Sequence, residues 1–304
     1  MMVLEKESAP ETPVSKGKFI DWQVILFFAI AYLIAWGMIP VLSIIARQSG
    51  VEDWITLSKM AEALDFGNTD LSVSKWLIYL ITRVQDFAFS IAGLIMIAHL
   101  AGLDGLRQLG RRLIKWRIRW YWYVLGFLPF ILYGLATVVS GSLGSFTLTA
   151  ATLGKILFSA EAGFLVYFFL RGAMGEEIGL RGFALPRLQS SMSAFQASVV
   201  IGILWAGWHI PVLLDRNAVT IIIFLTVAFV LSFIFTALFN GSGGSLIPVL
   251  IFHAAQNSEE VFENIFPKLA GTGWELISTL LLLIIGLIVG VLMWLGKTSE
   301  PVSE

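Results

Sequence analysis

About eight stretches of this chain approach the ~20 consecutive, mostly apolar residues that a helix needs to cross ~30 Å of hydrocarbon. They are residues 20–46, 75–100, 120–140, 154–174, 195–214, 218–239, 244–256 and 274–296. That pattern leaves little choice of fold. A backbone in lipid must satisfy its own polar groups, so such segments become helices packed against one another. The expected class is all-α, a polytopic membrane helix bundle with about eight transmembrane helices. The seventh stretch is short and should continue helically through the polar residues after it, facing protein or a cavity. Composition agrees: 57% of residues are hydrophobic and 13% charged, against ~45–50% and ~25% in soluble domains. The net charge of −1 gives no reason to expect a nucleic-acid partner. Cysteine is absent, which excludes disulfides, thiolate metal sites and cysteine nucleophiles.

No repeat and no long linker divides the chain. The polar first twenty residues carry no signal-peptide core, and residues 1–18 and 297–304 read as disordered tails. Orientation follows from the basic residues. The 101–119 loop holds Arg107, Arg111, Arg112, Lys115, Arg117 and Arg119. With eight spans it shares a side with both termini, so both are expected in the cytoplasm, with the protein in the plasma membrane of a prokaryote. The aromatic run Trp116, Trp120, Tyr121, Trp122 and Tyr123 suits the membrane–water interface.

Ionisable residues within apolar segments are expensive and therefore candidates for function. Glu176 and Glu177 are adjacent, and Arg181 follows. If 170–188 is helical, Glu177 and Arg181 are i,i+4 neighbours in the favourable order. Glu176 then lies about 100° around the helix, and Arg181 about 140° from it. This divides the labour: Glu177–Arg181 as a brace, Glu176 as a free base. On its own the doublet fits a solvated helix end with an ordinary ion pair equally well.

Two of the three histidines lie in later apolar segments. His209 follows Trp205-Ala206-Gly207-Trp208 and precedes Pro211, which should kink the helix and free a carbonyl. A lone histidine among tryptophans is more often a packing residue. His253 and Asn257 are i,i+4 and share a helix face. Together they can donate to a developing oxyanion; equally, they can join two helices by hydrogen bonds. Taken jointly, three segments supply a base, a second imidazole and oxyanion donors. Elsewhere, His99 reads as interfacial, Arg83 and Asp86 as an i,i+3 pair, and Glu161 as isolated and without a role. Residues 241–244 read as a tight turn with no phosphate-loop spacing.

At these residues the sequence resembles the CPBP (CAAX protease and bacteriocin-processing, also called Abi) intramembrane proteases, which include the Rce1-type prenyl-protein endopeptidases. That family carries Glu-Glu-x-x-x-Arg, Phe-x-x-x-His, and His-x-x-x-Asn or Asp. The first is met by Glu176 to Arg181, continuing Gly182-Phe183-Ala184-Leu185-Pro186-Arg187-Leu188; the second ends at His209; the third runs from His253 to Asn257. Trp205 stands where the family usually has phenylalanine. The resemblance implies a CPBP-type catalytic core at 151–260, between N-terminal transmembrane helices at 19–150 and a loop, last helix and tail at 261–304. It implies catalytic roles for Glu176, His209, His253 and Asn257: Glu176 as base on the hydrolytic water, His209 holding that water, and His253 and Asn257 on the oxyanion. Glu177 and Arg181 would be supporting residues. The residues read by themselves give the same roles.

Glu176, His209 and His253 also form a two-histidine, one-carboxylate set suited to zinc with an open position. The spacing is not that of soluble zinc proteases, and the expectation is no tightly bound metal. The function expected is an intramembrane endopeptidase using glutamate-activated water on prenylated or other membrane-associated peptides. The alternative is a non-catalytic or immunity-type membrane binding protein of the same fold. A proton-coupled transporter is disfavoured, because no two halves repeat. Expected partners are a peptide or lipidated peptide, and membrane lipid. One tension remains. His209 and His253 should lie about 20 Å and about 15 Å from the cytoplasmic ends of their helices. Glu176, after a full fourth span, should lie near the cytoplasmic face. A cavity open to the cytoplasm would reconcile them.

Overall fold

Residues 21–62, 73–141, 161–259, 262, 266 and 271–298 are described in a computed structural model. The expected tail at 1–18, the end of that at 297–304 and the side chain of Glu161 lie outside the described residues. The protein is an all-helical membrane bundle, with no strand among the described residues.

Among the described residues, four helices are long and apolar enough to cross a membrane by themselves: α1 (Trp22–Gln48), α4 (Ala88–Leu113), α12 (Ala218–Gly241) and α14 (Trp274–Trp294). The other expected spans are built from shorter pieces. These are α3 (Val73–Asp86), which leads into α4; α5 (Tyr121–Gly126) with α6 (Leu128–Val139); and α7 (Glu161–Phe169) followed by α8 (Gly172–Gly179) and α9 (Leu185–Gln189). They continue with α10 (Ala194–Trp208), α11 (Ile210–Leu213) and α13 (Ile247–Asn257). A short α2 (Trp54–Glu62) packs on α1 and α3 through Leu42, Ala46, Leu57 and Ile78. Large apolar side chains cover the outside, among them Leu33 at 74% and Ile222 at 64% exposure. On a soluble protein such a surface would aggregate; in lipid it is the solvated one.

Local signals set the helix ends. Asp21 accepts from the Gln23 amide at the start of α1, Ser193 and Gln196 form a reciprocal capping box on α10, and Asn217 caps α12. Proline opens α9, α11 and α13 at Pro186, Pro211 and Pro248, where a missing N–H costs nothing. The Pro211 break is the expected one, and it leaves His209 between α10 and α11.

The fourth span differs from expectation. Residues 175–194 fall between two of the expected spans, and the chain there is helical through Gln189, as the i,i+4 argument for Glu177 and Arg181 supposed. It breaks only at Leu170–Arg171 and passes through one π-helical stretch, Leu180–Ala184. The carbonyl freed at Leu170 accepts from Arg83 Nη1 at 2.8 Å. The Arg83–Asp86 pair, 2.9 Å apart, is as its spacing suggested. Glu176 is therefore midway along a helical path, not at its end, which removes most of the depth mismatch.

Glycines hold this path against the end of α3 and the start of α4. A Cβ on Gly175 would lie 2.5 Å from the Asp86 carbonyl oxygen, and one on Gly179 would lie 2.1 Å from that of Phe89. Only glycine at both positions lets the two backbones approach so closely. That contact fixes the rotation of α8, and Glu176 and Glu177 lie within the Gly175–Gly179 interval.

Candidate active site

Glu177 and Arg181 are fully buried and ion-paired, with Arg181 Nη1 2.9 Å from one carboxylate oxygen and 3.2 Å from the other. The guanidinium also stacks over Phe235 at 4.7 Å and Trp205 at 5.5 Å. A charge with this little water is tolerable only when paired. Glu177 has a second partner that its sequence neighbourhood does not reveal. His253 Nδ1 lies 2.7 Å from Glu177 Oε1. A carboxylate only accepts, so Nδ1 carries the hydrogen. The ring is further held by stacking on Phe235, at 5.3 Å and 18°. His253 Nε2 is thus turned away from the ion pair.

Glu176 is 5% exposed and points elsewhere, as its helical phase required. It is not free, however: the indole N–H of Trp205 donates to its Oε2. In the sequence Trp205 stands out only as a tryptophan in the place of the phenylalanine usual in the family it resembles. Phenylalanine, usual at this position by resemblance, could not make the bond. The available signal was the general need of a buried indole N–H for an acceptor. His209 Nδ1 lies 2.9 Å from the Trp205 carbonyl oxygen, so this ring too has its Nδ1 hydrogen committed and presents Nε2.

These groups converge beside Gly172, four residues before Glu176. The point a Gly172 Cβ would occupy is 2.6 Å from Asn257 Nδ2, 2.8 Å from His253 Nε2 and 3.5 Å from Glu176 Oε1. Two nitrogens and a carboxylate oxygen from two elements thus pack together against Gly172, where any side chain would collide with them. The zinc set does not assemble. Among the described residues, no three His, Asp or Glu side chains are placed to hold one metal ion. Glu176 and His253 reach the Gly172 point, but His209 is not part of a ligating group with them.

Two cavities meet at the site and share Tyr167, Glu176, His209 and Asn257 in their walls. One, about 230 Å³, continues past Thr82, Gln85, Asp86 and Arg171 toward Trp54 and Ser58 of α2. The other, about 500 Å³, has an apolar wall of Ile223, Phe224, Val227, Ala228 and Leu231. Both run toward the end of the bundle that carries α2 and the start of α12. The basic segment lies at the other end, where Arg112 reaches the Gly182 carbonyl and Lys115 that of Gly243. A cytoplasmic opening and a cytoplasmic basic loop therefore do not fit together, and one of those expectations fails. The chain has no cysteine, so single-cysteine variants test this cleanly. Lys59→Cys and Arg117→Cys should react with an impermeant maleimide from opposite membrane faces; reaction from the same face would refute the separation of cavities and basic loop.

Residues 158–258 match the family model described as Rce1-like type II CAAX prenyl endopeptidase. The segment is Rce1-like. An alignment at 34% identity over 84 residues relates the chain to a CAAX prenyl protease 2 of Methanococcus maripaludis. It spans 28% of this chain and 30% of that relative. The matched segment contains every residue of the Gly172 cluster.

Proposed function

We propose that this integral membrane protein is an endopeptidase that cleaves membrane-associated peptides by glutamate-activated water. The convergence of Glu176, His253 and Asn257 beside the bare Cα of Gly172 carries the reading. The scissile carbonyl oxygen binds in the cavity beside this cluster, where it accepts from Asn257 Nδ2 and His253 Nε2. Water between Glu176 and His209 Nε2 attacks the carbonyl carbon while Glu176 takes its proton. The proton then passes to the departing amide nitrogen, the C–N bond breaks, and a carboxylate and an amine result. With Nδ1–H committed to Glu177, His253 presents Nε2 to the site and donates there only when that nitrogen also carries a hydrogen. Preorganised donors of this kind act strongly in a site with little water. No step requires a metal.

The two cavities bear on the substrate. Both carry polar and apolar groups, and the larger has the continuous apolar wall Ile223–Leu231 beside the site. Such a wall next to polar groups suits a lipidated peptide, in keeping with the name of the methanococcal relative. The plasma membrane is the proposed location.

The test is cleavage of a mixed peptide and lipopeptide library by detergent-purified protein, with Glu176→Ala and a chelator in parallel arms. A general base contributes about 10²–10⁴-fold, so the variant should be nearly silent and the chelator without effect. Inhibition by the chelator would replace the metal-free mechanism. Binding of library members with no cleavage by folded wild type would favour the immunity-type binding protein.

A further inference from the structure

The segment after the bend in α4 is used by nothing described so far. Gly102, at φ 56° and ψ −147°, turns the chain within α4, and residues 103–119 then run along one end of the bundle. Their composition is lopsided: Arg107, Arg111, Arg112, Lys115, Arg117 and Arg119 stand against Asp104 alone. Asp104 is engaged with Arg107 at 2.7 Å. Large apolar side chains alternate with these cations and are left outside, with Leu103 at 69%, Ile114 at 72%, Trp116 at 63% and Trp120 at 74% exposure. Arg117 stacks over Trp116 at 5.1 Å, and Arg119 Nη1 donates to the Tyr121 hydroxyl at 3.3 Å. Exposed tryptophans interleaved with exposed arginines fit neither water nor hydrocarbon alone. They fit the headgroup layer, where an indole has an apolar and a polar neighbour.

The same segment is fastened to the elements that carry the site. Arg112 Nη1 donates to the Gly182 carbonyl at 3.4 Å, within the π-helical stretch that holds Arg181. The Leu246 amide donates to the Arg112 carbonyl at 3.1 Å, and Ser245 Oγ to that of Lys115 at 2.8 Å. Both bonds fall just before α13, the helix of His253 and Asn257.

We infer that residues 103–119 form a binding surface for anionic phospholipid headgroups, and that lipid bound there steadies the π-helical stretch and the start of α13. The charge is complementary, the flanking aromatics set the depth, and the backbone bonds transmit the restraint. The binding itself is independent of the proposed hydrolysis.

Native mass spectrometry of the detergent-purified full chain tests it, with phosphatidylglycerol and phosphatidylcholine as separate probes. Arg111→Gln, Arg117→Gln and Arg119→Gln are combined in one variant; all three side chains are exposed, and none belongs to the site. Each basic residue at an anionic surface strengthens binding roughly fivefold, so the triple variant should hold phosphatidylglycerol on the order of a hundredfold more weakly. Its retention of phosphatidylcholine should not change. A control with Lys59→Gln and Arg216→Gln, at the other end, should bind like wild type. Phosphatidylglycerol should raise the unfolding midpoint of wild type and control but not of the triple variant. Equal phosphatidylglycerol retention by wild type and triple variant would overturn the inference, as would equal loss in the control. A midpoint indifferent to phosphatidylglycerol in wild type would overturn the restraint on the site.

Discussion

Arg181→Ala should cost about 3–5 kcal/mol of stability, the range seen when one partner of a buried ion pair is removed. Both side chains of the pair are fully buried, so no water can replace the guanidinium. The substitution strands the Glu177 carboxylate beside His253 and empties the space between Phe235 and Trp205. In a detergent-solubilised bundle this should appear as a large fall in unfolding midpoint, or as failure to accumulate. Arg181→Met with Glu177→Gln should recover most of the loss, because an apolar replacement of similar volume removes the desolvation penalty along with the attraction. Glutamine at 177 still offers an oxygen to His253 Nδ1–H but carries no charge beside the ring. The double variant should therefore be folded and catalytically poor. An unchanged midpoint in Arg181→Ala would refute the burial on which this rests.

Gly172→Ala should have the opposite profile, with a normal unfolding midpoint and turnover lower by about 10²–10³-fold, the loss typical of a removed oxyanion donor. The added methyl would meet the ends of the Asn257 and His253 side chains, not backbone. Asn257 can swing aside, whereas the His253 ring is held by Glu177 and Phe235, so the remaining displacement falls on Gly172 at the first turn of α8. What is lost is the alignment of the two nitrogens beside Glu176. Substrate bound mainly through the two cavities should keep its affinity, so kcat should fall much more than KM rises. A fully active Gly172→Ala protein would show that the reacting carbonyl does not bind beside this cluster.

Much of this architecture is legible from the chain alone, because lipid imposes a length and a polarity that local sequence must satisfy. The class of fold, the Pro211 break and the Glu177–Arg181 pair all follow from spacing. Misreadings arise where polar residues are buried against each other. Residues 175–189 fall outside the expected spans because Glu176, Glu177 and Arg181 lower the apolar content. In the folded chain Glu177 and Arg181 pair with each other, and glycines 175 and 179 bury the segment against the junction of α3 and α4. The contact from Glu177 to His253 joins residues 76 positions apart, and no local pattern announces it. Trp205 was legible as an aromatic but not as a donor to Glu176. Gly172 is one glycine among 28, and only its neighbours in space distinguish it. The direction in which the cavities run depends on how all the helices pack, which basic-residue topology does not encode.

The unequal size of the two cavities has a consequence for selectivity under the proposed hydrolysis. The space past Gln85 and Arg171 is about 230 Å³, and the one against Ile223, Phe224 and Leu231 about 500 Å³. The smaller one is filled by a few side chains, so a change of one residue in the peptide on that side is felt at once. The larger one takes up bulk of varied shape. Discrimination between peptides is then one-sided, strict on the α2 side of the scissile bond and permissive on the α12 side.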